Sequence, residues 1–90
     1  MSLPLDKALA LEKQYRFQWE PAQKRHVLLY PEGLIQLTES AGEILKRIDG
    51  NASAEDIVES LEQAFPGADL KQDVIDFLEV AHDKGWIRVN

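Results

Sequence analysis

The chain has no cysteine, only two histidines, and five glycines that never sit side by side. It also has no apolar run approaching the roughly 20 residues of a membrane span. Each shortage removes a class of function. Without thiols there is no disulfide, no thiolate metal site and no cysteine nucleophile. His26 and His82 have no second ligand at the close spacing a metal site requires, and both read as ordinary structural or surface residues. Isolated glycines cannot build a loop that cradles phosphate, and Ser40 and Ser60 lack the turn context of a nucleophile elbow. The opening MSLPLDKALALEK shows neither the basic start nor the continuous apolar core of a signal peptide, so a soluble cytoplasmic protein is expected. Basic residues are scarce as well, 10 against 16 acidic, for a net charge of −6. These features predict a protein without intrinsic catalysis, metal or cofactor.

What is present is an ordinary globular composition, 44% hydrophobic over 90 residues, enough for one domain with one small core. Folding at this size buries only about 60–65% of the unfolded surface, which leaves little room for a large internal pocket. Residues 1–14 carry no convincing period and are expected to form a flexible N-terminal arm, with the domain proper spanning 15–90. From Tyr15 the pattern turns strict: Tyr15, Phe17 and Trp19 alternate with Arg16, Gln18 and Glu20, the period of a half-buried strand. His26-Val-Leu-Leu-Tyr30 is apolar on both parities. Tyr30-Pro-Glu-Gly33 suits a type I turn, and Leu34-Ile-Gln-Leu37 supplies a third strand of an antiparallel meander.

Helical signals follow. Thr38 caps a helix with Ala41, Ile44, Leu45 and Ile48 on one face, ended by Gly50. Ser53 caps a second, with Glu55 and Asp56 in its first turn and a stripe of Ile57, Val58, Leu61, Ala64 and Phe65. A third runs from about Asp69 to Lys84 with Leu70, Val74, Phe77, Leu78 and Ala81 inward, and Trp86 to Val89 reads as a short final strand. The expected fold class is therefore α+β, winged helix-turn-helix-like: a three-stranded antiparallel sheet, three helices and a short C-terminal strand.

Winged-helix order raises nucleic-acid binding, but charge opposes it. Residues 53–84 hold nine acidic side chains against two lysines, a balance of −7, and the third helix is the one that would enter the major groove. A DNA-binding winged helix is therefore the weaker alternative. Peptide recognition fits better. Between Trp19 and Gly50 the chain carries more apolar residues than a sheet with one buried face needs. On the third helix Val80 lies on the flank of the core stripe with Asp73, Asp76, Phe77 and Lys84, a mixture suited to the wall of a groove. A peptide could pair with the edge of the third strand by β-augmentation. The residues alone weigh this equally against an edge covered by the tail strand or by a second copy in a homodimer.

The run QWEPAQKRHVLLYPEGLIQLTESAGEILKRIDG, the helix SAEDIVESLEQAFP and the ending DFLEVAHDKGWI closely resemble the PqqD family of pyrroloquinoline quinone (PQQ) biosynthesis. The resemblance covers Tyr15 to Val89. It implies a non-catalytic peptide chaperone, a recognition element for ribosomally made, modified peptides. Such domains bind the precursor peptide PqqA as an added strand between the third strand and third helix. They present it to the radical S-adenosylmethionine enzyme PqqE, whose iron–sulfur chemistry joins a glutamate and a tyrosine of the precursor. Carried over by residue, the resemblance makes Leu34, Ile35, Gln36 and Leu37 the peptide-pairing strand and Asp73, Asp76, Phe77, Val80 and Lys84 the facing wall. Trp19, Leu29, Tyr30, Ala41, Leu45 and Trp86 are assigned to the fold, and Gly33 and Gly50 to backbone geometry. The leader of another modified peptide is the alternative client. The acidic face of the second helix (Glu55, Glu59, Glu62) reads as a solvated face rather than the enzyme contact. The charge argument has a direct check: gel shifts with duplex DNA at low salt should show no tight, salt-sensitive complex.

Overall fold

The computed structural model describes residues 3–90 as β1 (Leu9–Leu11), β2 (Arg16–Glu20), β3 (Arg25–Tyr30), β4 (Gly33–Gln36), α1 (Glu39–Leu45), α2 (Ala54–Ala64), α3 (Lys71–Asp83) and β5 (Ile87–Val89). The expected meander is there: β2, β3 and β4 pair antiparallel in that order, with Phe17 opposite Leu28 and Leu28 opposite Ile35. A two-residue loop, Pro31-Glu32, joins β3 to β4, and neither residue has positive φ. Gly33 also lacks a positive φ; its bare Cα instead leaves room for the Tyr30 ring, whose Oη would lie 3.4 Å from a Cβ at that position.

Because side chains alternate across a strand, Phe17, Leu28 and Ile35 face the helices, and Leu28 is fully buried there. Val27, between Gln18 and Gln36 on the opposite face, is also buried yet stands outside the main core cluster. That explains a β3 apolar on both parities. The helices close over the inner face with Ile44, Leu45, Ile57, Leu61, Val74 and Leu78. Thr38 Oγ1 accepts from Ala41 N–H at 3.1 Å, and Ser53 and Asp56 form a reciprocal capping box. Gly42 of α1 lies so close to His26 that a Cβ would come 2.8 Å from its Nδ1; the helix can approach the sheet here only without a side chain. His26 is a packing residue, its ring stacked on Phe17 at 4.7 Å and edge-on to Trp19 at 5.0 Å.

Three expectations need correction. Residues 3–14 are not a loose arm (residues 1 and 2 lie outside the described chain). β1 pairs antiparallel with β5, Leu9 opposite Val89, and Leu3, Leu9 and Ala10 are buried. On its other side Leu9 N–H donates to Ala52 O and Leu9 O accepts from Gly50 N–H, both at 2.9 Å. Gly50 reaches this contact with φ +86, a conformation few other residues adopt, and Asp49 braces the same bend. Its carboxylate accepts from the backbone N–H groups of Asn51 and Ala52, which hold its pKa below the ordinary value. The period was invisible because three residues are too few to establish one.

Trp19 is not a core residue. It is 54% exposed, and a cleft of about 590 Å³ separates it from the first turn of α1. Nor does the α2 stripe continue to Ala64 and Phe65. Phe65 is the C-cap with φ −127 and ψ 73, so the chain has already left the helix and the ring is 47% exposed.

Leu9 tests the first correction. Truncating a fully buried leucine costs about 2–5 kcal/mol. Leu9→Ala should therefore lower the urea midpoint sharply, whereas a solvated arm would leave it unchanged.

Candidate functional site

The β4 edge follows from register. Leu37 N–H donates to the His26 carbonyl at 3.0 Å. In an antiparallel ladder bonded residues recur at every second position, so Ile35 and Gly33 also turn their backbone groups toward β3. Leu34 and Gln36 then direct one N–H and one C=O each away from the sheet. No strand among the described residues pairs with that side, because the tail strand β5 is taken by β1. The four expected strand residues thus divide. Leu34 and Gln36 offer backbone; Ile35 and Leu37 pack inward and hold the edge in place, Leu37 being buried. The Leu34 side chain is 43% exposed on the outer face. The Gln36 amide is turned toward the β2–β3 loop, accepting from Arg25 at 3.3 Å and donating to Gln23, so only its backbone is available at the edge.

On α3, at about 100° per residue, Asp73, Phe77, Val80 and Lys84 fall within about 60° of one another, with Asp76 at one border. Phe77 is half-buried against Trp86, ring centroids 6.4 Å apart, while Val80 is 48% exposed. The Lys84 ammonium stands 5.9 Å over the Trp86 ring. Asp76 accepts from Gln72 at 2.8 Å, an exposed bond within the helix. The expected wall does not form one pocket. Asp73 and Phe77 line a cleft of about 760 Å³ with α1, the end of α2 and the α2–α3 turn, while Asp76, Val80 and Lys84 lie outside it. Sequence reasoning missed Phe65, Leu70 and Thr38 as members of that cleft. Phe65 had a signal: a large aromatic directly before Pro66-Gly67, where a helix must end.

The family model described as "Coenzyme PQQ synthesis protein D (PqqD)" matches residues 25–87. The chain belongs to the PqqD family. Among curated relatives, the "PqqA binding protein" of Pseudomonas paraeruginosa is 50% identical over 91 residues, covering 99% of each chain. That of Azotobacter vinelandii is 49% identical, covering 89% of this chain and 88% of its own. That of Acinetobacter baylyi is 53% identical over 74 residues. A solution structure of the PqqD part of Methylobacterium extorquens PqqCD superimposes with a TM-score of 0.78 at 24% identity, over 97% of this chain and 95% of that one. It is described as a functional, stand-alone recognition element for ribosomally synthesised, post-translationally modified peptides, and at this identity the likeness concerns the fold. The PqqD match spans β3 to the start of β5, so β4, α3 and the cleft between α1, α2 and α3 all lie within it.

The alternation along β4 is measurable without any ligand. Hydrogen exchange should find the Ile35 and Leu37 amides protected and the Leu34 and Gln36 amides fast. Ile35→Pro should unfold or strongly destabilise the domain, whereas Leu34→Pro removes only a solvent-facing donor and should fold.

Proposed function

We propose that this PqqD-family protein binds the precursor peptide PqqA as an extra strand along β4 and holds it for the radical S-adenosylmethionine enzyme PqqE in PQQ biosynthesis, contributing no chemistry of its own. The vacant edge at Leu34 and Gln36, in a family whose close relatives are named PqqA binding proteins, carries this reading. An antiparallel or parallel partner would meet two donors and two acceptors there. Its alternate side chains would fall toward Phe77, Val80 and Ile35 on one side and beside Leu34 on the other.

Two properties of the geometry support this reading. Backbone pairing gives affinity that is tolerant of sequence, and the flank of α3 adds selection through an apolar strip between Asp73 and Lys84. Ordering a flexible peptide offsets part of the contact energy, which keeps the complex reversible. Reversibility suits a carrier. Once bound, the reacting segment is confined near the enzyme at an effective concentration on the order of millimolar.

Titrating the labelled protein with PqqA should shift and protect the Leu34 and Gln36 amides together with Phe77 and Val80. Leu34→Pro, shown to be folded by circular dichroism, should bind at least about tenfold more weakly, a loss of roughly 1.4 kcal/mol. Shifts confined to α2 and the β1–β5 pair, or an undiminished affinity in the folded variant, would overturn the assignment.

A further inference from the structure

The 760 Å³ cleft at the far end of β4 has no role in strand pairing, yet it is of ligand size and mostly apolar. Its walls include Ile44, Leu61, Leu70, Val74 and Phe77, and the half-exposed ring of Phe65 stands at its border. Two features say what belongs in it. The first is continuity. Thr38, one residue beyond Leu37 at the end of β4, and Asp73 and Phe77, from the α3 flank to which the proposed strand pairing assigns the peptide, all line it. The cleft thus lies at the Leu37 end of the edge to which the peptide is proposed to pair. The second is charge. Glu39, Glu43 and Asp73 line it and no lysine or arginine does. Glu43 is paired with Arg47 at 2.9 Å, while Glu39 and Asp73 have no ion pair among the described residues. A second copy of this chain, itself at −6, would bring like charge to that rim.

We propose that the cleft between α1, α2 and α3 receives an apolar side chain of the client peptide, from the part just beyond the segment paired with β4, beside a lysine or arginine that meets Glu39 and Asp73. This rests on the strand-pairing reading and adds a second, side-chain-specific contact to it. Backbone pairing alone scarcely distinguishes one extended peptide from another. An apolar anchor next to a cation would supply that distinction, and the ionic part would weaken with salt.

Ala68 lines the cleft from the exposed α2–α3 turn, so Ala68→Trp should fill it without touching the core or β4. With PqqA as the probe, Ala68→Trp should lose about tenfold or more in affinity. At saturation the Leu34 and Gln36 amides should still shift. Glu39→Lys should weaken binding at low salt and regain it with a PqqA variant in which one lysine or arginine is replaced by glutamate. Wild-type affinity in Ala68→Trp, with binding lost in Leu34→Pro, would sink the cleft proposal and leave strand pairing intact. Wild-type affinity in both variants would sink both. If Ala68→Trp instead converts a dimer to a monomer in sedimentation while PqqA affinity is unchanged, the cleft is a contact between copies and the proposal fails.

Discussion

The pairing of the two ends of the chain keeps the β4 edge open. β5 is short, apolar and last in sequence, and in a meander-first fold the vacant side of β4 would be a ready partner for it. It is held elsewhere: Leu11 to Leu9 run against Ile87 to Val89, and Arg88 adds a bond at 2.7 Å to the Leu11 carbonyl. β1 is fastened in turn on its other side to the Gly50–Ala52 bend. Leu9 and Ile87, both fully buried, make this second sheet part of the single core. Exposed strand edges invite unwanted pairing, and most proteins blunt them. Here one potential cover is withdrawn.

A core this small also explains why apolar side chains remain outside. The helical layer covers the inner face of the sheet around Leu28 and Ile35 but stops short of Trp19, and α2 ends before Phe65 can turn inward. Leu34 on β4 and Val80 on α3 are left exposed, and Phe65 borders the cleft between α1, α2 and α3. Of the four large exposed hydrophobics, only Leu34 lies on the β4 edge strand itself. Of the acidic residues of α3, Asp73 lines that cleft.

Most of the secondary structure was legible because each element carried its own local signal: alternation in β2, caps at Thr38 and Ser53, and 3.6-residue spacing in α2 and α3. β1 was not, since Leu9-Ala-Leu is too short to show a period and its partner lies nearly 80 residues away. The candidate site was half legible. Periodicity put Asp73, Phe77, Val80 and Lys84 on one flank, but could not separate the two residues that line the cleft from those that do not.

By itself the sequence determined the meander, the capped starts of α1 and α2, the uneven charge and the absence of thiol chemistry, all properties of residues near one another along the chain; it carried α1 on to Gly50, whereas the helix stops at Leu45. Tertiary structure alone decided which backbone groups of β4 face outward. That depends on the parity of its pairing with β3, where a one-residue slip would reverse every position. It also decided that the tail strand pairs with β1 and leaves β4 vacant, a choice between distant partners that only the closed core resolves.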